Sequence, residues 1–381
     1  VRWEAQLIRP QAGQPDADTG RVSPKARAGG ADESAPSQAG VPHPHTSESL
    51  IELPGLMRSV RTPDFDGIVF HEVVAKSALN KVPPASNMPF SWTVNPYRGC
   101  THACVYCFAR KTHTYLDFDY GQDFDSQVVV KRNVADVLRA ELGRPSWNRE
   151  HVALGTNTDP YQRAEGRYRL MPEIIRTLAE SGTPFSILTK GTLLARDADL
   201  LAWAATLVPV GVGLSIAMTN DQLSASIEPG TPSPTARFRL LERLAGSGID
   251  CSVMAMPILP WLSDSDEALG ALFSRVSRAG ANDLTVGPLH LRPGAREWFM
   301  AWLSRNHPQL VPRYQGLYRR SSVASREYRR WLEQQVAGLR REHRLGSAAW
   351  ELRRPGREGR QGTTPPAPDG RQRDSAQDAL F

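Results

Sequence analysis

Three cysteines fall within eight residues, in Cys100-Thr-His-Ala-Cys104-Val-Tyr-Cys107. Three is an odd number, and thiols this close along a chain make poor disulfide partners, so the run points to a metal centre. A structural zinc site closes its shell with four ligands, and no fourth protein ligand is evident beside the triplet. Three thiolates do suit a [4Fe–4S] cube that keeps one iron open to an outside ligand. The nearest histidines, His102 and His113, read as loop or surface residues rather than as that ligand. The one remaining thiol, Cys251, opens an apolar run and reads as a small buried hydrophobe.

Four cysteines in 381 residues suit a reducing compartment and argue against a disulfide-stapled secreted fold. The opening VRWEAQLIRPQAGQPDAD carries no apolar h-region of the secretory type, so the expected location is cytoplasmic. Residues 200–218 are uncharged over nearly the length of a membrane span, but their character changes at Pro209. That break reads as a helix end followed by a buried strand, and no membrane is expected. The net charge of +6 is uneven. Residues 313–360 hold thirteen Arg and five Glu with no Lys or Asp, a local sum of +8, which leaves −2 for everything else. Such a segment is either a solvated helix face with a soluble tail or a surface for nucleic-acid phosphates.

The elements that must position the thiols follow an alternating pattern. Strands are expected at residues 91–95, 151–155, 185–189, 208–215, 250–256 and 283–286, with helices at 170–181, 196–207, 235–247 and 263–278 between them. Residues 128–131 are strand-like and 134–142 helical. Alternation of this kind implies a parallel sheet with right-handed crossovers. Appended helices are expected at 297–305 and 322–343, and a short strand at 67–74. The run Asp117–Asp125 lacks the glycine and the terminal glutamate of a calcium loop in their places and is set aside.

Ligands of parallel α/β folds sit at the carboxyl ends of the strands. There the chain places Gly155-Thr-Asn-Thr-Asp-Pro-Tyr-Gln162, Thr189-Lys190-Gly191 and Ser215. A lysine leaving a buried strand is costly unless it meets an anion or a wet cleft. Glu228 and Arg237 either line that cleft or tie a loop to its helix, and Tyr161 and Gln162 either face substrate or close a turn.

The pattern C-x3-C-x2-C, with Tyr106 before the third cysteine, resembles the signature of the radical SAM superfamily. The stretch from Asn95-Pro-Tyr-Arg-Gly to Cys107, with Thr158-Asp-Pro-Tyr-Gln162, Leu188-Thr-Lys190, Glu228-Pro-Gly-Thr-Pro-Ser-Pro234, Arg237 and Pro257-Ile-Leu-Pro260, is similar to the spore photoproduct lyase-like branch. The resemblance implies a partial (β/α)6 barrel over residues 90–291, with an N-terminal extension at 51–89 and Arg-rich helices at 292–345. Disordered tails are expected at 1–50 and 346–381. It further implies a [4Fe–4S] cluster on Cys100, Cys104 and Cys107, with S-adenosylmethionine on the open iron. Reductive cleavage would then give a 5′-deoxyadenosyl radical that takes hydrogen from a substrate.

By the same resemblance Asn157, Thr158 and Asp159 meet the methionine amino group, Lys190 its carboxylate, Ser215 adds a hydrogen bond, and Tyr106 lies near the adenine. A reductant such as flavodoxin or ferredoxin is the implied partner, and nucleic acid is a candidate substrate. The separate hydrogen-donating cysteine of spore photoproduct lyase has no counterpart here, which sets thymine-dimer repair apart from SAM cleavage. The rival is a non-catalytic iron–sulfur or zinc module with a nucleic-acid-binding basic tail, which requires a fourth protein ligand such as His102 or His113.

Overall fold

A computed structural model describes residues 6–8, 53–86 and 88–346. Apart from residues 6–8 and Gly346, the tails expected to be disordered lie outside the described residues. Along the chain the strands are β1 (Gln6–Ile8), β2 (Leu56–Arg61), β3 (Val69–Val73), β4 (Leu79–Lys81), β5 (Trp92–Val94) and β6 (Tyr97–Arg98). They continue as β7 (Gln127–Lys131), β8 (Val152–Leu154), β9 (Phe185–Thr189), β10 (Val210–Ser215), β11 (Cys251–Ile258) and β12 (Asp283–Pro288).

The larger sheet runs β4-β5-β8-β9-β10-β11-β12. Every pair from β5 to β12 is parallel, and only the edge strand β4 is antiparallel to its neighbour. Spatial order follows chain order, as a series of like-handed crossovers produces. The edges β4 and β12 are not paired with one another, so the sheet is open.

The helices between the strands show why the pattern was readable. Helix Met171–Glu180 buries Met171, Ile174, Ile175 and Leu178 on one stripe and carries a proline in its first turn. Helix Asp266–Arg278 buries Leu269, Leu272, Phe273 and Val276, and Ser265 caps it by accepting from the Ala268 amide at 3.2 Å. The uncharged run divides as expected at Pro209, between helix Ala198–Ala205 and β10. Strand residues Val94, Leu154, Ile187, Leu214, Val253 and Leu284 meet those helix stripes in one core.

The smaller sheet departs from expectation. Its order is β1-β2-β3-β7-β6, so the strand-like residues 128–131 join the N-terminal segment instead of the parallel series. Strand β6 also belongs to it, with Tyr97 opposite Val130 and Arg98 opposite Val129. The chain therefore leaves the large sheet at β5, enters the small one at β6, and releases the cysteine loop after β6, before it returns to the small sheet at β7. The extension is not a separate attachment, because β4 also forms the edge of the large sheet.

Helices Ala295–Asn306 and Val311–Leu317 cover the outer side of the cysteine loop. Phe299, Trp302, Tyr314 and Tyr318 share an apolar cluster with Cys104, Val105, Tyr106, Ile227 and Leu259. Helix Arg326–His343 buries Leu332 and Val336 and packs on helix Asp266–Arg278.

Candidate active site

The cysteine loop is held at both flanks by backbone hydrogen bonds. Gly99 has φ +79°, and a Cβ there would lie 2.9 Å from the Gln127 carbonyl oxygen and 3.0 Å from that of Phe124. The amide of Gln162 clamps the first cysteine. Its Nε2 donates to the Gly99 carbonyl at 3.1 Å, and its Oε1 accepts from the Thr101 amide at 2.8 Å. Thr158 adds a donation to the same Gly99 carbonyl at 2.8 Å. Further along, the Val105 amide donates to the Ile227 carbonyl at 2.9 Å, and the Gly230 amide to the His102 carbonyl at 3.1 Å. A Cβ on Gly230 would sit 2.0 Å from the Thr101 oxygen, so only glycine admits that approach.

Arg110 braces the far side. Its fully buried guanidinium donates to the Cys104 carbonyl from Nη2 at 3.0 Å and from Nε at 3.2 Å. It also reaches the Gly121 carbonyl at 2.7 Å and the Asp125 carboxylate at 2.9 Å. The rings of Trp298 and Phe124 flank it at 4.9 and 5.3 Å.

All three thiols are free, Cys100 and Cys104 buried and Cys107 half-buried. Burial pushes each of them up. Asp159 adds to the rise at Cys100, whereas Lys190 opposes it at Cys104 and Arg110 at Cys107. Thiolates here need a positive partner, which is the requirement that iron meets. Both histidines face elsewhere: His102 Nδ1 lies 3.2 Å from Asp159, and His113 Nε2 donates to the Gln127 carbonyl at 2.8 Å. Among the described residues no group of three or more His, Cys, Asp or Glu is gathered around a single-ion position.

The residues singled out at the strand ends divide into two sets. Asp159 follows β8, and its Oδ1 accepts from the Tyr161 amide at 2.9 Å and from the Thr189 hydroxyl at 2.5 Å. Its Oδ2 accepts from the Lys190 amide at 2.7 Å and faces His102. Burial alone pushes this carboxyl up, but the His102 charge and these donors outweigh it and bring it down to about 2. Asp159 and Thr158 thus tie β8, β9 and the cysteine loop together. Asn157 is half-buried, and its amide N–H donates to Asn95 Oδ1 at 3.3 Å.

The second set surrounds Cys104. Lys190 Nζ donates to Ser215 Oγ at 2.9 Å and stands 5.8 Å from the centre of the Tyr106 ring. Burial works against its charge, but Cys104 and Glu228 outweigh that and hold the ammonium above its ordinary value. The Tyr106 hydroxyl donates to Glu228, and Glu228 pairs with Arg237 in a fully buried contact. Arg237 also donates to the Ser215 carbonyl at 3.0 Å and the Pro232 carbonyl at 2.8 Å. For Glu228 too burial acts upward, and the charges of Arg237 and Lys190 bring the carboxyl below its usual range.

The structure therefore brings Cys104, Tyr106, Lys190 and Ser215 together and adds Glu228 and Arg237 to them. Sequence reasoning missed Arg110, because a buried arginine has no local signature. It left Gln162 between facing substrate and closing a turn, whereas its side chain clamps the cysteine loop through partners 61 and 63 residues away. A broad hollow of about 550 Å³ lies at the opposite end of the sheet, between residues 202–210 and 247–250. No helix among the described residues is long and apolar enough to cross a membrane.

A model of the radical SAM superfamily matches residues 94–272. An uncharacterized protein of Mycobacterium tuberculosis is 60% identical over 291 residues, covering 76% of this chain and 86% of that protein. An uncharacterized protein of Methanocaldococcus jannaschii is 29% identical over 238 residues, covering 62% and 85%. In fold the chain is similar to spore photoproduct lyase with bound AdoMet and dinucleoside spore photoproduct. That likeness has a TM-score of 0.54 at 14% identity, over 72% of this chain and 79% of the other. The matched region opens on the last residue of β5 and takes in the cysteine loop with the ends of β8, β9 and β10. The chain belongs to the radical SAM superfamily and is an enzyme of that class.

Proposed function

We propose that Cys100, Cys104 and Cys107 hold a [4Fe–4S] cluster and that S-adenosylmethionine binds against its open iron, between the cysteine loop and the ends of β8, β9 and β10. The donor set fits the group: three thiols on one braced loop, two buried and one half-buried, with two cations, Lys190 and Arg110, favouring negative charge on Cys104 and Cys107. When bound, the cluster supplies the electron that cleaves the sulfonium to methionine and a 5′-deoxyadenosyl radical, which takes hydrogen from a substrate carbon.

The protein's own residues orient and shield. Lys190 and Ser215 receive the methionine carboxylate, a charge-assisted contact that suits an ammonium already held charged. Of the trio after β8, Thr158 and Asp159 brace the loop, so direct contact with the amino group falls to Asn157. Tyr106, fixed by Glu228, presents its ring to the adenine. Helices Ala295–Asn306 and Val311–Leu317 keep water from the outer side of the loop. In this reading residues 90–291 act as an open (β/α)6 barrel, with 51–89 and 292–345 as its covers. The reaction runs in the cytoplasm with electrons from a flavodoxin or ferredoxin.

The observation that carries the proposal is the meeting of Cys104, Tyr106, Lys190 and Ser215 at the carboxyl ends of the strands. Anaerobic reconstitution with iron and sulfide, then reduction with S-adenosylmethionine, should yield 5′-deoxyadenosine, and Cys104→Ala should abolish it. Equal product from that variant would sink the assignment.

A second reading concerns the substrate. Arg326, Arg329, Arg330 and Arg341 are exposed on helix Arg326–His343, a face suited to nucleic-acid phosphates. Binding to single-stranded DNA or RNA that weakens steeply with salt supports it, and no binding at low ionic strength ends it.

A further inference from the structure

Thr101 follows the first cysteine of the loop, and its hydroxyl is buried with no hydrogen-bond partner among the described residues. The residue is only 5% exposed, so bulk water does not supply one. A buried hydroxyl left unmatched is destabilising, and each one in a native fold calls for a partner from outside the chain.

The surrounding hydroxyls show that the omission is particular to this residue. Those of Thr158, Thr189 and Thr231 are all donated, to the Gly99 carbonyl at 2.8 Å, to Asp159 at 2.5 Å and to the Glu228 carbonyl at 2.8 Å. Ser215 accepts from Lys190 at 2.9 Å. The backbone acceptors of the loop are taken as well. The Gly99 carbonyl receives Thr158 and Gln162, and that of Cys100 receives the Ala103 amide at 3.2 Å. The His102 carbonyl receives the Gly230 amide at 3.1 Å, and that of Cys104 the Arg110 guanidinium at 3.0 Å. Thr101 itself is pinned, with its amide on Gln162 Oε1 at 2.8 Å and its carbonyl 2.0 Å from where a Gly230 Cβ would stand. A β-branched side chain on a pinned backbone has few rotamers left to try. The acceptors that remain on this loop are its sulfur atoms.

We infer that the Thr101 hydroxyl donates to a sulfur of the cluster held by Cys100, Cys104 and Cys107, and that this contact favours the reduced cluster. The inference rests on the proposed function. One-electron reduction adds negative charge to the cluster, and a donor on its sulfur is worth more to the form that carries that charge. Thr101 thus makes the cluster easier to reduce, through the one hydroxyl of the loop that the protein leaves unmatched.

The test compares wild type with Thr101→Val, which keeps the shape and removes the hydroxyl, and with Thr101→Ser, which keeps the hydroxyl. Each full chain is first unfolded by heat without iron. It is then reconstituted anaerobically and titrated with dithionite and redox dyes, the reduced cluster being read by electron paramagnetic resonance. Without iron, Thr101→Val should be at least as stable as wild type, because an unmatched hydroxyl has gone. With iron, the ratio of reduced to oxidised cluster at a fixed potential should fall in Thr101→Val by about threefold to tenfold. Tenfold corresponds to about 59 mV for one electron. Thr101→Ser should stay with wild type. Equal potentials in wild type and Thr101→Val overturn the inference and leave the hydroxyl to a buried water. A fall shared by Thr101→Ser assigns the effect to loop packing and overturns it too, as does an iron-free Thr101→Val clearly less stable than wild type. Thr101→Ala, which also lacks the hydroxyl, carries the same comparison if the valine variant does not fold. A cluster bound with unchanged potential leaves the radical assignment standing, whereas a wild type that takes up no cluster ends both.

Discussion

The two ends of the parallel sheet treat buried polar groups in opposite ways. At the carboxyl ends they are kept charged and matched: Asp159 by four donors, Glu228 by Arg237 and Tyr106, Lys190 by Ser215. At the amino ends they are kept neutral. His151, just before β8, has a buried Nε2 with no hydrogen-bond partner, and burial pushes its ring down to about 4. The hollow near the starts of β10 and β11 is lined by Ala, Leu, Val, Ile and Pro with a few small polar residues, and Asp250 is its one charged lining residue among those described. Desolvating an ion costs several kcal/mol before any pairing. The sheet concentrates that cost at the end where parallel folds present their ligands, and the other end is left to packing alone.

The largest effect should come from breaking a matched charge. Arg237→Met strands Glu228 in the interior and should lower stability by about 3–5 kcal/mol in urea unfolding. Adding Glu228→Gln to that variant should recover much of the loss, because the stranded charge is then gone. A loss under about 1 kcal/mol, the worth of a surface pair, would erase the contrast between the two ends.

The amino end is probed by acid. The ordinary histidine value is 6.5 and His151 sits at about 4, so below pH 6.5 the unfolded chain takes a proton that the folded one refuses. Stability should therefore fall as pH drops from 6.5 to 4 and level off beneath that, with about 3 kcal/mol attributable to this ring. His71 and His113 are also lowered by burial and share the slope. The informative quantity is thus the difference between wild type and His151→Gln across that window, and a constant difference would remove the ring from the account.

A smaller effect is expected on ligand binding. Lys190→Met should leave iron content intact and weaken S-adenosylmethionine affinity by the worth of one charged hydrogen bond, about 1.5–3 kcal/mol, read by anaerobic calorimetry. Loss of iron instead would make Lys190 part of the loop's scaffold. The smallest effect belongs to the hollow: Leu207 is exposed, and Leu207→Ala should change stability by less than about 0.5 kcal/mol and affinity not at all. A clear change in affinity would show that the amino end is also a site.

The parallel series was legible because each of its units signals itself locally. Phe185, Ser186 and Ile187 are buried as a continuous run, and Met171, Ile174, Ile175 and Leu178 recur on one helical stripe. The small sheet was not legible in the same way. Val128, Val129 and Val130 read as a strand, but nothing local says whether their partner is β8 or β3. The site divides along the same line. Lys190 and Ser215 stand out because each ends an apolar strand, and Gln162 because it closes a polar run after one, though nothing local says that it clamps the cysteine loop. Arg110 looks like any surface residue until the fold closes over it.

Residue order was enough to put three thiols on one loop and to set six apolar strands in a repeating register with helices. Both follow from spacing over fewer than about a dozen neighbours, where chain connectivity does the positioning. Long-range packing alone decided which polar groups face the thiols and which are spent on bracing. Thr158 and Asp159 turn to Gly99, Thr189, Lys190 and His102, while Lys190 turns to Ser215 and Cys104. A buried charge must find its partner wherever the fold brings one, and that partner carries no mark in the surrounding sequence.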